Sequence, residues 1–271
     1  MIDSHCHLDA SEFDADRDEV LLRAYTAGVR TIVNPAVEVD NFGKVANLSA
    51  TTLLKARSGQ MPYVVYALGI HPIFVHKAKT GDIDLLRVAV IQAMADPLFI
   101  GIGEIGLDGF VPGVDQETQN YFFIEQLKIA KEFDLPVIMH VRKAQDGILK
   151  QLRRFKPVSA IAHAFNGSEQ QAKTFIDLNC VLGFGGAMTF TRALQIRRLA
   201  QALPLEAIIV ETDSPDISPA WLHPKRNEPM EVMRIADTLA SLRDVSPEVI
   251  KTQTNANVAR ILPRLAIAQR A

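Results

Sequence analysis

Short apolar runs recur along the whole chain, and amphipathic, charge-rich segments separate them. Eight of these runs are candidate strands, at residues 2–8, 31–36, 63–70, 98–107, 136–141, 160–165, 180–185 and 207–212. The segments between them are candidate helices; in residues 116–133, for example, apolar side chains recur at about every third or fourth position. Regular alternation of strand and helix predicts parallel strands joined by right-handed crossovers.

Eight strand–helix units predict an α/β chain folded as a (β/α)8 barrel of the TIM type. The length of 271 residues agrees with the roughly 250 that such a barrel needs, and we predict one domain over residues 1–271. Extra C-terminal helices are expected at 229–242 and 247–264, because prolines near their starts suit first helical positions. An open, doubly wound sheet is the alternative fold.

The charge balance limits the classes of partner. A formal net charge of -2 and a pI of about 6.4 provide no general attraction to nucleic acid or anionic membranes. A nucleic-acid substrate would therefore need local cations and a bound metal. No apolar run approaches the roughly 20 residues of a membrane span, and no signal-peptide pattern opens the chain. We expect a cytoplasmic protein without membrane contact or an obligate protein partner, in which Cys6 and Cys180 are reduced thiols.

Histidines mark the predicted strand ends. The chain has seven histidines, and five follow or end predicted strands: His5, His7, His71, His140 and His163. In a (β/α)8 barrel the carboxyl ends of the strands carry the active site. His5 and His7 are two residues apart and share one face of the first strand. Both imidazoles can therefore reach the same ion.

Two carboxylates occupy equivalent places. Glu104 lies among apolar and glycine residues, without Lys or Arg within ten positions on either side. A buried anion must be paired or bound to metal, and the two oxygens of one carboxylate can bridge two cations. Asp213 follows the eighth strand in the same way. Glu211 shares the face of Asp213, and we interpret it mainly as a residue that supports the ligands.

The predicted metal ligands are therefore His5, His7, Glu104, His140, His163 and Asp213. Imidazole and carboxylate donors suit Zn²⁺, Mn²⁺ or similar ions, whereas Mg²⁺ prefers oxygen ligands. Six ligands exceed the about three that one catalytic ion usually takes. Two divalent ions about 3.5–4 Å apart, bridged by Glu104 and a hydroxide, would accommodate all six. Asp213 is the candidate to orient and deprotonate the attacking water.

Three long motifs and four short ones carry a family resemblance. The long motifs are residues 1–9 (MIDSHCHLD), residues 136–146 (PVIMHVRKAQD), and Pro204 with residues 208–215 (IIVETDSP). The short ones are GIHP (69–72), GEIGLD (103–108), HAFNG (163–167) and KRNEP (225–229). In this order and spacing, over nearly the whole chain, they resemble the TatD family of metal-dependent deoxyribonucleases, within the amidohydrolase-like barrels.

The resemblance implies two divalent ions. His5, His7 and Asp213 would hold one ion and His140 and His163 the other, with Glu104 between them. It also implies hydrolysis of phosphodiester bonds in DNA, of the 3′-exonuclease type. The sequence departs from the family pattern after Asp108: residues 109–114 are apolar, whereas the family usually has an aromatic residue followed by basic or polar ones.

Four residues are candidate substrate contacts: His71, Arg142, Arg226 and Asn227. His71 could donate a hydrogen bond to a phosphate or stabilise its own loop. Arg142 follows His140 by two positions and shares its face, so it could reach a phosphate or pair with Glu211.

Arg226 and Asn227 follow the eighth strand. The fork of an arginine suits phosphate, although a solvated loop cation is equally ordinary. Trp221 in the same region could stack on a base, but packing is the favoured interpretation of this single aromatic.

Three functions remain open from the sequence. The first is a two-metal phosphodiesterase that acts on DNA ends. The second is a binuclear hydrolase of a small-molecule ester, amide or lactone, which the near-neutral charge and the apolar segment 109–114 favour. The third is a non-catalytic, partner-binding barrel; the complete set of metal ligands argues against it.

Overall fold

The computed structural model describes residues 1–113, 115–268 and 270, and its centre is a parallel sheet of eight strands. Each strand pairs with the next in chain order. The strands are β1 (Ile2–Asp3), β2 (Thr31–Pro35), β3 (Tyr63–Leu68), β4 (Phe99–Asp108), β5 (Val137–Arg142), β6 (Ala160–His163), β7 (Cys180–Phe184) and β8 (Ile208–Val210).

Hydrogen bonds beyond the regular ladders join the last strand to the first. The Asp213 N–H donates to the His5 carbonyl over 2.9 Å, and the His7 N–H donates to the Ser214 carbonyl over 2.8 Å. The sheet is therefore a nearly closed barrel. This confirms the predicted (β/α)8 fold and excludes the open, doubly wound sheet.

Helices follow the strands around the outside of the barrel. They are α1 (Arg17–Ala27), α2 (Phe42–Arg57), α3 (Asp82–Ala93), α4 (Gln116–Glu132), α5 (Gln145–Phe155), α6 (Glu169–Asp177), α7 (Leu194–Ala202), α8 (Val232–Arg243), α9 (Pro247–Ile261) and α10 (Leu265–Ala268). One α-helix follows each of the first seven strands, and α8, α9 and α10 follow β8. The predicted C-terminal helices are confirmed, and α8 is preceded by a short 3-10 turn at Pro229–Glu231.

The first and last strands are shorter than predicted because side chains replace strand partners at their ends. The Leu8 N–H donates to the Asn34 side chain over 3.1 Å. The Thr212 N–H donates to Asp3 Oδ1 over 2.9 Å. His5 and His7 consequently lie just beyond β1, on backbone that follows the barrel wall without belonging to a continuous ladder.

The core lies inside the barrel and between the strands and helices. All ten residues of β4 are buried, and Phe122, Phe123 and Leu127 of α4 pack into the core. Each such side chain contributes roughly 1.5–3 kcal/mol by leaving water. Cys6 and Cys180 are buried and free, as predicted. Within the described residues, no helix is long and apolar enough to cross a membrane.

Candidate metal centre

The carboxylate of Glu104 lies at the centre of a ring of imidazoles. Its residue is only 1% exposed, at the middle of β4. Five imidazole nitrogens lie 3.1–3.3 Å from its two oxygens: His5 Nε2 and His7 Nε2 at Oε2, and His71 Nε2, His140 Nδ1 and His163 Nε2 at Oε1. One carboxylate therefore presents each of its oxygens to a separate group of nitrogen donors.

Asp213 adds a second carboxylate on the side of the first group. Its Oδ1 lies 3.6 Å from His5 Nε2 and 3.7 Å from His7 Nε2. Three sets of side chains have donor atoms within 4.8 Å of one another, close enough to share an ion: His5, His7 and Asp213; His5, Glu104 and His163; and His71, Glu104 and His140.

The donor atoms fit divalent metal ions. His5 Nε2 and His7 Nε2 converge to 3.3 Å, and Glu104 Oε2 is buried without a hydrogen-bond donor in the described part of the chain. A buried carboxylate oxygen without a donor is costly unless a cation neutralises it. Imidazole nitrogens and carboxylate oxygens together match the ligand preferences of Zn²⁺ and Mn²⁺.

Electrostatics keep the central carboxylate ionised. Burial opposes the charge of Glu104, but the surrounding histidines hold its pKa well below the usual range. Burial raises the pKa of Asp213 to about 6. Burial also opposes protonation of His7, yet the neighbouring Glu104 carboxylate raises the pKa of this imidazole to about 9. The site thus favours positive charge beside Glu104.

Asp108 orients one ligand, a role that the sequence analysis missed. Its Oδ2 lies 2.9 Å from His140 Nε2, and its Oδ1 accepts the N–H groups of Phe110 (2.6 Å) and Val111 (3.0 Å). Burial opposes the charge of Asp108, but these partners hold its pKa at about 2. A carboxylate at Nε2 keeps the imidazole proton there and leaves Nδ1 free to bind metal. The available signal was spacing, since residues 104 and 108 share one face of β4.

Glu211 supports a second ligand from inside the barrel. Its Oε1 lies 3.5 Å from His163 Nδ1 and accepts the Ala164 N–H. A Cβ added at Gly183 would lie 2.3 Å from Glu211 Oε2, so only glycine leaves room for this carboxylate. The side chain is fully buried behind His163, which agrees with the interpretation that Glu211 supports the ligands.

His71 belongs to the ring itself. Its Nδ1 accepts the Ile73 N–H over 3.2 Å, while its Nε2 lies 3.1 Å from Glu104 Oε1. A neutral imidazole that accepts at Nδ1 carries its proton on Nε2. Burial lowers the pKa of His71 to about 4, which favours this neutral form. His71 therefore stabilises its own loop and also presents an N–H donor to the site.

Two of the residues predicted to contact substrate form hydrogen bonds with other parts of the protein instead. Arg226 donates to both carboxylate oxygens of Asp16, each over 2.7 Å, and it does not line the cavity at Glu104. Asn227 is 0% exposed, and its amide donates to the carbonyls of Thr212 (2.8 Å) and Asp216 (2.9 Å). The prediction of a direct substrate contact is wrong for Asn227, which stabilises the segment after β8. Arg226 serves to join that segment to the start of the chain.

Arg142 and Trp221 differ in their access to the site. Arg142 is exposed at the end of β5, and its Cζ lies 4.0 Å from the centre of the Phe110 ring. Trp221 donates its indole N–H to Glu231 over 2.6 Å and is half-buried. Trp221 packs against the hydrophobic core, in agreement with the packing interpretation. Arg142 lines the cavity, and its contact with a substrate stays a prediction.

A cavity of about 760 Å³ opens from the ring to solvent at the carboxyl ends of the strands. The metal-site side chains form its floor. Phe110, Arg142, Lys143 and Gln145 lie among the residues that form its walls. This volume is within the range of about 300–1,000 Å³ that small-molecule and cofactor sites occupy, so the cavity can hold more than one phosphate group.

Comparison with known proteins decides the family. A family model described as TatD related DNase matches residues 2–263. The chain belongs to the TatD family. The metal-dependent hydrolase YjjV of Escherichia coli K12 is 37% identical over 244 residues, which is 90% of each chain. The crystal structure of YJJV, a TatD homologue from the same strain, superposes with a TM-score of 0.88 at 34% identity, covering 97% of this chain and 98% of that one.

Other relatives extend the TatD family match. A Danio rerio protein that carries the name of a proposed deoxyribonuclease, tatdn3, is 33% identical over 277 residues, or 98% of each chain. An amidohydrolase structure from Saccharomyces cerevisiae shares the fold, with a TM-score of 0.84 at 20% identity over 96% of this chain and 99% of that one. This TatD-family protein is therefore a metal-dependent hydrolase on a (β/α)8 barrel, as the motifs predicted.

Proposed function

We propose that this TatD-family hydrolase cleaves phosphodiester bonds in DNA with two divalent ions, as a 3′-exonuclease. The observation that carries the proposal is the division of the Glu104 carboxylate: one oxygen lies near His5 and His7, and the other near His140 and His163. Each oxygen can then serve one ion. His5, His7 and Asp213 would hold the first ion, and His140 and His163 the second. Their nitrogen donors favour Zn²⁺ or Mn²⁺ over Mg²⁺.

The chain's own groups position the substrate and move the proton. Two bound divalent ions would supply a water of lowered pKa and neutralise charge on the phosphoryl group. Asp213, whose pKa lies near 6, is a carboxylate at neutral pH and accepts the proton of the attacking water. The Nε2–H of His71, which lies 3.1 Å from Glu104 Oε1, would be a donor to a phosphoryl oxygen at the floor of the cavity. Arg142 at the mouth can bind phosphate by its fork of N–H donors.

Two lines of support favour DNA. The Danio rerio relative carries the name of a proposed deoxyribonuclease, and the cavity wall contains the cations Arg142 and Lys143. The second candidate is hydrolysis of a small ester, amide or lactone. Apolar residues on the other wall, Val37, Ile73 and Phe74, favour that candidate.

A direct assay separates the two candidates. Protein loaded with Zn²⁺, Mn²⁺ or Mg²⁺ is incubated with single-stranded DNA labelled at its 5′ end, and in parallel with chromogenic carboxylic esters and lactones. We expect stepwise shortening of the DNA from its 3′ end and no shortening by Asp213→Ala. Hydrolysis of the esters or lactones, with DNA left intact under every metal, would transfer the assignment to the second candidate.

A further inference from the structure

Two cationic side chains lie over an exposed aromatic ring at the mouth of the cavity. Phe110 is 49% exposed and lies among the residues that line the cavity. Arg142 Cζ lies 4.0 Å and Lys143 Nζ 4.5 Å from the centre of its ring. Both distances are within cation–π range. We call Phe110, Arg142 and Lys143 the mouth cluster.

The backbone holds the mouth cluster in place. The β4–β5 ladder continues to the pair Asp108–Arg142, and the Gly109 N–H then donates to the Arg142 carbonyl over 2.7 Å. A Cβ at Gly109 would lie 2.5 Å from the Lys143 carbonyl oxygen, so glycine is required for this close approach. Lys143 has a left-handed φ of 51°. The cluster is thus built on paired backbone rather than on a free loop.

A hydrogen-bonded chain connects the cluster to the metal centre. The Phe110 N–H donates to Asp108 Oδ1, and Asp108 Oδ2 lies 2.9 Å from His140 Nε2. Arg142 follows His140 by two residues on β5, a rise of about 7 Å toward the opening. A substrate whose reacting group lies at Glu104 therefore has its neighbouring group at the mouth cluster.

The charges of the mouth cluster define what that neighbouring group is. The acids Asp9, Glu12 and Asp216 line other parts of the cavity. The two adjacent cations of the mouth cluster are therefore the part of its wall that attracts an anion. A simple carboxylic ester or lactone has no anionic group for them, whereas every internal nucleoside of an oligonucleotide lies between two phosphates. The fork of Arg142 suits the oxygens of such a phosphate.

We propose that the mouth cluster binds the phosphate next to the scissile one, so that Phe110, Arg142 and Lys143 set the preference for DNA over a diester with a single phosphate. This inference rests on the proposed phosphodiesterase function. Phe110 holds the two cations at the rim. The apolar segment 109–114 favoured a small-molecule ester, amide or lactone in the sequence, whereas its described residues Gly109 and Phe110 support a cationic subsite.

The test measures binding and turnover separately. Binding of a fluorescein-labelled phosphorothioate oligothymidylate to metal-loaded protein is measured by anisotropy over a range of salt concentrations. Turnover is measured on a short DNA strand and on bis(p-nitrophenyl) phosphate, which has a single phosphate. The variants are Arg142→Gln, Lys143→Asn, whose asparagine tolerates a left-handed φ, and Phe110→Leu. Arg57→Gln and Lys131→Gln, in the last turns of α2 and α4 at the opposite end of the barrel, are the matched controls.

We expect each cation variant to weaken oligonucleotide binding by about 10-fold at low salt and to lower the ratio of DNA to small-diester turnover by a similar factor. Loss of one phosphate contact reduces the salt slope for a single strand by about 0.7. The controls leave both quantities unchanged. Equal binding, salt slope and turnover ratio in wild type and cation variants would overturn the subsite.

The two proposals fail in different ways. If wild type binds the oligonucleotide through the mouth cluster but cleaves no DNA, the phosphodiesterase proposal fails, and what stands is a phosphate-binding mouth cluster without a scissile neighbour. If wild type cleaves DNA and the cation variants behave as wild type, the subsite fails and the phosphodiesterase proposal stands. If wild type does not bind the oligonucleotide at all, the subsite is overturned.

Discussion

Asp108 Oδ2 lies 2.9 Å from His140 Nε2, while Nδ1 of the same ring lies 3.1 Å from Glu104 Oε1. The two carboxylates therefore contact different nitrogens of one imidazole and have different roles. Asp108 keeps the proton on Nε2, and Nδ1 keeps a lone pair for a metal ion beside Glu104. The tautomer of the candidate ligand His140 is therefore set by Asp108, which lies outside the groups that could hold an ion.

Asp108→Asn tests this division of tasks. The asparagine oxygen can still accept the N–H groups of Phe110 and Val111, but its amide would then donate to His140 Nε2 and favour the wrong tautomer. We expect metal affinity to fall about 10–100-fold, measured by titration against a chelator. Asp134→Asn, an exposed left-handed position (φ 52°) in the turn between α4 and β5, is the control. Unchanged metal affinity in Asp108→Asn would remove the orienting role.

The stability of the protein at acidic pH tests the role of the Asp108 carboxylate independently of metal binding. Its pKa is about 2 in the folded protein and about 3.9 in an unfolded chain. A lowered pKa means that the ionised form stabilises the fold above pH ~4, and this contribution is lost as pH falls through about 2. It amounts to on the order of 2 kcal/mol. The free energy of unfolding, measured with denaturant between about pH 5 and about pH 2, should fall less steeply in Asp108→Asn than in wild type. Parallel curves of stability against pH would contradict this.

Two glycine substitutions should have opposite effects. Gly183→Ala places a methyl group against the carboxylate of Glu211, and overpacking of this kind costs about 1–3 kcal/mol. Gly43→Ala in the first turn of α2 meets nothing within 4 Å, so the added methyl group has room there. We expect Gly183→Ala to lower Tm and metal content, and Gly43→Ala to leave metal content unchanged and not to lower Tm. Equal thermal unfolding curves would contradict the account of Glu211.

Asp213 should govern the acidic side of the pH–rate profile. The carboxylate must be ionised to accept a proton, so kcat/KM rises as pH increases through its pKa. That pKa is about 6, and bound cations move the midpoint to lower pH. Asp213→Asn should lower kcat by about 10²–10⁴-fold with an unchanged circular dichroism spectrum. A variant that retains wild-type kcat would exclude Asp213 as the base.

Much of the fold and of the metal centre follows from local sequence patterns. Buried strands produce the eight apolar runs, and the carboxyl ends of parallel strands meet at one end of a barrel. Glu104 stood out because no cation lies nearby in the sequence, and in the structure its partners are the histidines of other strands. Period two placed His5 and His7 together, and their Nε2 atoms are 3.3 Å apart.

Local sequence patterns could not predict hydrogen bonds between side chains that are distant in the sequence. Arg226 pairs with Asp16, 210 positions away, so its availability to substrate could not be judged locally. Asn227 is enclosed by the backbone that it stabilises. His71 was expected at a phosphate or in its own loop, and its two ring nitrogens divide between the loop and Glu104. The contacts of these three residues depend on the path of the loops over the end of the barrel, which local sequence does not determine.

The central claim is that two divalent ions, one for each oxygen of Glu104, carry out the hydrolysis of DNA. The most direct measurement is the metal content per chain, by mass spectrometry, of chromatographic fractions assayed for release of nucleotides from 3′ ends. The account predicts that nuclease activity follows occupancy of the second ion and is maximal at two ions per chain. Full nuclease activity in fractions that hold one ion or none would contradict it.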